Sequence, residues 1–160
     1  MAKVIYPGTF DPVTYGHLDI IERGRHIFDQ VVVAVARNTQ KAPLFTADER
    51  IEMLRELTRE MDNVEVDSFS GMTVSYVRQR GTNLILRGMR TMSDFEFEFE
   101  MALNNKSLDS GIETVFIMTS VEYSFIRSQI VKEIAWLGGD LSKLVPPAVE
   151  RRLREKSARR

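Results

Sequence analysis

The 160-residue sequence contains no cysteine and has no marked excess of charge of either sign. Without cysteine there can be no disulfide framework, no cysteine-based zinc site and no thiol nucleophile. Lys and Arg number 22 and Asp and Glu number 23, a formal net charge of -1, so no overall field favours nucleic acid or an anionic membrane. Binding of an anion must therefore depend on where individual positive groups are placed.

Long hydrophobic runs are also missing. The first residues, MAKVIYPGTF, contain no apolar run of signal-peptide length, and no stretch approaches the ~20 apolar residues that span a bilayer. We therefore expect a soluble, cytoplasmic protein with neither a membrane nor a nucleic acid as partner. Because 160 residues suffice for one domain with a full core, we predict a single domain over residues 1–160.

Five short apolar runs rich in β-branched residues alternate with segments of helical spacing. The runs are typical of strands buried on both faces of a sheet, and they cover residues 4–6, 31–36, 64–66, 84–86 and 115–118. One intervening helix is predicted to begin at the capping box of Thr46 and Glu49, and a shorter one covers residues 73–80. This alternation predicts an α/β fold, a Rossmann-like, doubly wound, five-stranded parallel sheet with helices on both faces.

The segment FEFEFE, residues 95–100, fits two kinds of structure. Its period-two alternation is the signature of a half-buried strand. Against this, Ser93 and Glu96 match a capping box, and helix formers follow it. We favour a helix, on which Phe95 and Phe99 belong to an apolar stripe and Glu98 lies off it.

The C-terminal part predicts a last helix from about residue 146, because proline suits the first helical turn. Residues 151–160 are strongly basic, which is compatible with binding to RNA or a membrane. A solvated helix face with a frayed end is the simpler interpretation, since Lys and Arg near a helix C-terminus also suit its dipole.

Histidine or cationic side chains follow four of the five predicted strands. His17 comes after the first strand, Lys41 after the second, Arg87 and Arg90 after the fourth, and Arg127 after the fifth. In open parallel sheets these strand ends meet at one edge, where loops lead into helix N-termini with unpaired N–H groups. Such a rim would bind anions despite the neutral total charge, so we expect a ligand that carries phosphates.

Two familiar phosphate-binding motifs are absent from the sequence. No G-x-G-x-x-G follows the first strand and no G-x-x-x-x-G-K-[ST] occurs anywhere, so a dinucleotide fold or a P-loop is unsupported. Instead, the loop PGTFDP precedes Thr14-Tyr15-Gly16-His17 at the predicted start of a helix. Gly16 leaves room beside His17, which stands at a positive helix end.

With these residues in place, the sequence resembles the nucleotidyltransferases that carry the motif [HT]-x-G-H, and within them the phosphopantetheine adenylyltransferases. The resemblance covers nearly the whole chain through YPGTFDPVTYGH, LFTADER, LRGMR, SDFEFE and SFIRSQIVKE, in the family's order and spacing. It implies one nucleotidyltransferase domain that moves AMP from ATP to 4'-phosphopantetheine, giving dephospho-coenzyme A and pyrophosphate. It also implies Mg²⁺ bound mainly through the ATP phosphates, a homo-hexamer, and inhibition by coenzyme A.

The same resemblance implies roles for individual residues, and none of them is a metal ligand. The implied catalytic residues are His17, Thr9, Lys41 and Arg87. The implied acceptor-binding residues are Thr9, Lys41, Thr73 and Arg87. The implied ATP-binding residues are Thr9, Phe10, His17, Gly88, Met89, Arg90, Glu98, Tyr123, Ser124, Phe125, Ile126, Arg127, Ser128 and Gln129. The family commonly has serines at positions 127 and 129, so hydroxyl contacts are not carried over to Arg127 and Gln129.

Two other functions share part of this pattern. A nucleotidyltransferase with nicotinamide mononucleotide or glycerol phosphate as acceptor has the same first motif and differs in its acceptor pocket. A non-catalytic nucleotide-binding module would bind ATP without turnover. The set of Lys41, Thr73 and Arg87 favours 4'-phosphopantetheine, and assays of pyrophosphate release with each acceptor separate the three cases.

Overall fold

A computed structural model of the protein describes residues 1–39 and 42–158. Its five strands are β1 (Lys3–Gly8), β2 (Gln30–Ala36), β3 (Val64–Phe69), β4 (Leu84–Met89) and β5 (Glu113–Met118). All neighbouring strands are parallel, and they form one sheet in the order β3-β2-β1-β4-β5. The order reverses direction between β1 and β4, which confirms the predicted doubly wound sheet.

Helices follow the strands and cover both faces of the sheet. They are α1 (Tyr15–Ile27), α2 (Ala47–Thr58), α3 (Thr73–Gln79), α4 (Met92–Leu108), α5 (Ser128–Trp136) and α6 (Pro147–Ala158), with a short 3-10 helix at Val121–Tyr123. One core packs side chains of α1, α2, α5 and α6 against one face of the sheet. A smaller core lies on the opposite face, where α3 packs against Ile5, Val32 and Ile85. Among the described residues, no helix is long and apolar enough to cross a membrane.

Two glycines let α1 lie unusually close to β4. A Cβ atom at Gly24 would stand 2.9 Å from a methyl of Leu86, and one at Gly88 would stand 2.9 Å from Cγ1 of Ile20. Side chains at these positions would force the helix away from the strand. The N-terminus of α1 is consequently held beside the carboxyl end of β4.

The helix preferred over residues 95–100 is confirmed, but its start was predicted wrongly. Thr91, and not Ser93, caps α4 and accepts a hydrogen bond from the backbone N–H of Asp94. Glu98 is buried, whereas Phe95 and Phe99 are exposed. The apolar stripe therefore faces outward, because Glu98 turns toward the sheet to pair with an arginine of β4.

Strand β4 also runs further than its apolar core indicates. It continues through Met89, so that Arg87 and Gly88 are strand residues rather than parts of the loop that follows. The last helix is confirmed, since α6 begins at Pro147.

Candidate functional site

A cavity of about 860 Å³ opens at the carboxyl ends of β1 and β4, where the strand order reverses. Strands β1 and β4 pair at Ile5 and Ile85, and they separate toward their carboxyl ends. Nη1 of Arg87 donates a hydrogen bond of 2.6 Å to the carbonyl oxygen of Pro7 across the gap. This is the place where open parallel sheets bind ligands, and the volume suits a small molecule.

His17 enters the cavity from the first turn of α1. The backbone N–H of Thr14 donates to Nδ1 of His17 at 3.1 Å, and the Thr14 hydroxyl oxygen accepts the backbone N–H of His17 at 3.4 Å. Because Nδ1 accepts a hydrogen bond, the proton of the neutral ring must be on Nε2. Burial, together with the nearby charges of Arg90 and Arg87, lowers the pKa of His17 to about 3. His17 is therefore a neutral N–H donor at physiological pH.

The buried ring of Phe10 packs against the ring of His17. The backbone of Phe10 has φ of 53°, and its buried ring packs edge-on against Tyr6 and His17 with centroid distances of 5.3 and 5.0 Å. A bulky residue in the left-handed region is strained, and such strain persists where surrounding structure imposes it. A Cβ at position 8 would stand 3.0 Å from the Phe10 ring, so Gly8 gives the ring its space.

The opposite wall of the cavity carries two arginines, each held by a carboxylate of α4. Arg87 donates to both carboxylate oxygens of Glu98, at 2.8 and 2.6 Å. Arg90 donates to Asp94 at 2.9 Å and to the carbonyl oxygen of Ile126. With its bond to Pro7, Arg87 uses three of its five N–H groups within the described part of the chain, and the others remain for a ligand.

Most of the predicted site residues line this cavity. They are Thr9, Phe10, His17, Arg87, Gly88, Arg90, Glu98, Ile126, Arg127, Ser128 and Gln129. Thr73 lines a neighbouring cavity of about 260 Å³, and Thr9, Arg87 and Glu98 line both. The two cavities therefore share a wall, as a site for two reactants requires.

The other predicted contacts lie elsewhere. Met89, Tyr123, Ser124 and Phe125 line neither cavity, and Lys41 lies outside the described residues. The ring of Tyr123 stacks on Tyr15 at 5.8 Å, and the Ser124 hydroxyl donates to a carbonyl of its own turn. Their roles in ATP binding stay predictions.

One buried carboxylate at the cavity was not predicted from the sequence. Asp11 accepts the backbone N–H groups of Leu44 and Phe45, each at 2.9 Å, and pairs with Lys132 at 3.0 Å. It thereby ties the first loop to the segment before α2 and to α5. An acidic side chain inside a phosphate-binding loop was the available signal, because it would repel the ligand unless it were neutralised.

A buried guanidinium was missed as well. Arg50, only 1% exposed, donates to the carbonyl oxygens of Phe45, Thr9 and Ala36 at 3.2, 2.7 and 3.0 Å. Burial lowers the pKa of Arg50. Nothing in the helical pattern of α2 distinguishes this arginine from its exposed neighbours, so its burial was not predictable from the residue pattern.

The arrangement is suited to bringing two anions together. One wall offers a neutral hydrogen-bond donor, His17, and the other offers the cations Arg87 and Arg90. A low-dielectric cavity strengthens hydrogen bonds to charge that develops during a reaction. Transfer of a phosphorus-centred group between two phosphates needs such positioning and charge stabilisation, and no nucleophile of the protein.

Comparisons with known proteins give the same indication. Residues 5–134 match the cytidylyltransferase-like family. The chain is 54% identical over 156 residues to the phosphopantetheine adenylyltransferase of Carboxydothermus hydrogenoformans, which covers 98% of this chain and 96% of that protein. It is 53% identical over 156 residues to the phosphopantetheine adenylyltransferase of Caldanaerobacter subterraneus subsp. tengcongensis, covering 98% of both.

A solved structure shares the fold at much lower identity. It is that of a Vibrio parahaemolyticus protein to which nicotinate-nucleotide adenylyltransferase activity has been provisionally ascribed. The TM-score is 0.65 at 20% identity, and the match covers 96% of this chain and 99% of that one. At this identity the likeness shows the fold alone.

Proposed function

The chain belongs to the cytidylyltransferase-like family and, within it, to the phosphopantetheine adenylyltransferases, and from this premise we infer how its cavity works. The reaction moves AMP from ATP to 4'-phosphopantetheine, giving dephospho-coenzyme A and pyrophosphate. A phosphate oxygen of the acceptor attacks the α-phosphorus of ATP in line. As that bond forms, the bond from the α-phosphorus to the bridging oxygen breaks, and pyrophosphate leaves without a covalent enzyme intermediate.

The observation that carries this function is the hydrogen bond from the Thr14 N–H to Nδ1 of His17, which leaves the proton of the neutral ring on Nε2. In the proposed complex Nε2–H donates to a non-bridging oxygen of the α-phosphate, where negative charge increases in the transition state. The Thr14 N–H holds the ring in that tautomer at 3.1 Å, so no reorganisation is needed during the reaction. A depressed pKa keeps the ring neutral, and His17 acts as a hydrogen-bond donor rather than as a general base.

The shared wall of the two cavities is the proposed acceptor site. The phosphate of 4'-phosphopantetheine would bind the remaining N–H groups of Arg87 and the hydroxyl of Thr9. The pantetheine arm would then occupy the smaller cavity, which Thr73 and Phe69 line. Lys41 is proposed for the same phosphate by similarity, and Lys41→Ala is expected to weaken acceptor binding in calorimetry.

The larger cavity is the proposed ATP site. Arg90, Gly88 and the residues that lead into α5 line it, and the Ser128 hydroxyl is fixed by a 3.0 Å hydrogen bond to the carbonyl oxygen of Pro12. The N-terminus of α5 is suited to bind phosphate oxygens of ATP. Glu98 orients Arg87 here, and its direct contact with ATP remains part of the proposal.

Magnesium is proposed to bind through ATP rather than through a carboxylate cluster. Among the described residues, no group of three or more His, Cys, Asp or Glu side chains is placed to hold a metal ion. The three carboxylates that line the cavity, Asp11, Asp94 and Glu98, pair with Lys132, Arg90 and Arg87. This donor set fits Mg²⁺ held by triphosphate oxygens and water, where the ion would neutralise phosphate charge.

The proposal extends to assembly, regulation and location. The outward face of α4 exposes the large apolar side chains of Phe95, Phe99 and Leu103, and Phe97 and Met101, which line the cavities, are exposed as well. Such a face supports a contact between subunits, in agreement with the homo-hexamer that the resemblance implies. Coenzyme A carries the same pantetheine arm as the acceptor, which supports inhibition by competition for the shared site. We place the enzyme in the cytoplasm.

The test of the function is an assay of pyrophosphate release from ATP and Mg²⁺ with three acceptors. 4'-Phosphopantetheine is expected to support turnover, with nicotinamide mononucleotide and glycerol phosphate inactive. Turnover with another acceptor alone would assign the chain a different substrate. Binding of ATP with no turnover for any acceptor would identify a non-catalytic module.

A further inference from the structure

The carbonyl oxygen of Thr9 is turned away from the cavity by a buried arginine. Nη1 of Arg50 donates to it at 2.7 Å, the shortest of that arginine's hydrogen bonds. Arg50 itself lines neither cavity, whereas Thr9 lines both. The oxygen is therefore fixed on the side of the first loop that faces α2.

Fixing this oxygen also fixes the N–H that follows it. The peptide between Thr9 and Phe10 is trans, so its C=O and N–H point in opposite directions. The Phe10 N–H is thus directed away from Arg50, toward the side on which the cavity lies. Within the described part of the chain, no acceptor takes the N–H of Phe10. An unpaired N–H at a cavity wall is suited to bind an anion.

The backbone angle at Phe10 and two further hydrogen bonds of Arg50 indicate that surrounding groups maintain the conformation of this turn. The φ of 53° at Phe10 is unfavourable for a bulky side chain, and a neighbouring group must maintain it. Arg50 also donates to Ala36 at the end of β2 and to Phe45 before α2, so one guanidinium joins three segments around the turn. No carboxylate forms a salt bridge with Arg50 among the described residues, so carbonyl oxygens take its N–H groups.

We propose that Arg50 is a positioning residue that aims the Phe10 N–H at a phosphate of ATP. It touches neither reactant and acts through the Thr9–Phe10 peptide. The inference rests on the proposed adenylyl transfer, because that reaction supplies the phosphate that the N–H would bind. Without the guanidinium, the peptide is free to rotate, and the carbonyl oxygen would then compete for the place of the N–H.

The first test compares three variants by steady-state kinetics and thermal unfolding. Arg50→Met is expected to lower kcat/KM for ATP by roughly 10- to 100-fold, the value of one hydrogen bond to a charged group. The KM for 4'-phosphopantetheine should change by less than about 2-fold. Arg50→Lys keeps a positively charged donor and should recover part of the loss. The control Arg80→Met removes a half-buried arginine that lines neither cavity, and it should lower the melting temperature but not kcat/KM.

A second test needs no variant and is independent of turnover. In TROSY spectra of the deuterated wild-type protein, the Phe10 amide proton should shift downfield when a non-hydrolysable ATP analogue and Mg²⁺ are added. A shift that is smaller in Arg50→Lys supports the inference. An unmoved Phe10 amide, or Arg50 variants with wild-type kcat/KM for ATP, would overturn it. Wild-type protein that binds the analogue but releases no pyrophosphate from ATP with any acceptor would instead overturn the proposed function, while the amide shift still decides the role of Arg50.

Discussion

The two walls of the large cavity hold their anion-binding groups in opposite ways. On the wall formed by β1 and α1, the donors are neutral: the Nε2–H of His17 and the backbone N–H of Phe10. On the wall formed by β4 and α4, the donors are cations, and Glu98 and Asp94 pair with Arg87 and Arg90.

The difference follows from the free energy needed to fix each kind of group in one orientation. A neutral donor can be fixed by backbone contacts, as His17 is by Thr14, with little loss of solvation. A half-buried cation needs a counter-charge to stay in one orientation, and α4 supplies two of them. The neutral wall is therefore suited to the α-phosphate, at which the reaction occurs, and the charged wall to holding the phosphate of the acceptor and the remaining phosphates of ATP.

The most damaging change on the neutral wall is His17→Ala. We expect kcat to fall by roughly 10²- to 10³-fold, about 3 to 4 kcal/mol, with a modest change in KM, because the hydrogen bond strengthens in the transition state. Initial rates of pyrophosphate release measure this. The control His26→Ala removes an exposed histidine of the same helix and should leave kcat unchanged. Wild-type turnover in His17→Ala would show that the neutral wall does not take part in the chemical step.

The neutrality of His17 predicts how stability depends on pH. Its pKa is about 3 in the folded protein and close to 6.5 when unfolded, so between these values the unfolded chain binds a proton that the folded chain does not. The stabilising contribution is present above the unfolded pKa and is lost as pH falls toward 3.

Urea unfolding at two pH values provides the measurement. From about pH 8 to about pH 5 the wild type should lose about 2 kcal/mol more than His17→Gln. Over the same range kcat should show no ionisation of His17. An equal loss in both proteins would mean that the imidazole is protonated in the native state.

On the charged wall, Glu98→Gln removes the counter-charge of Arg87 without changing the size of the side chain. We expect the KM for 4'-phosphopantetheine to rise about 10-fold and the free energy of unfolding to fall by about 1 to 3 kcal/mol, since Arg87 loses its bidentate partner. Glu100→Gln, an exposed position on the same helix, is the matched control. If the KM did not change, Arg87 would not depend on Glu98 for its orientation.

The smallest effect is expected for Asp94→Asn. Asp94 and Arg90 are an i,i+4 pair with side chains 20% and 26% exposed, so the pair contributes under about 1 kcal/mol. The KM for ATP should rise about 2- to 3-fold in steady-state kinetics, less than the change that Glu98→Gln makes for the acceptor. A larger change in KM for Asp94→Asn than for Glu98→Gln would mean that substrate binding depends more on the pairing of Arg90 than on that of Arg87.

The fold was predictable because buried parallel strands leave apolar runs that a sequence shows directly. The strand ends then placed His17, Arg87 and Arg90 on one edge, and the structure brings these three together around the cavity. The lengths of the strands were harder to predict from the sequence. Arg87 and Gly88 read as a loop, yet they stay in β4 because Arg87 finds its partners across the sheet edge.

What the sequence could not show were contacts between segments far apart in the chain. The sequence did not show which face of α4 packs on the sheet, because the pairing of Glu98 with Arg87, and not the apolar stripe, decides this. Arg50 donates to backbone carbonyl oxygens, and Asp11 accepts two backbone N–H groups besides pairing with Lys132. A sequence of residue types does not show which backbone groups will lie near a side chain. Such partners become visible only when the fold has brought the segments together.

The most direct test of the account is a crystal structure of the enzyme with Mg²⁺ and a non-hydrolysable ATP analogue. We predict that an α-phosphate oxygen lies within hydrogen-bonding distance of Nε2 of His17, on the neutral wall of the cavity. An α-phosphate bound instead to Arg87 or Arg90, with the His17 ring free of ligand, would contradict the division of the site into a reacting wall and a binding wall.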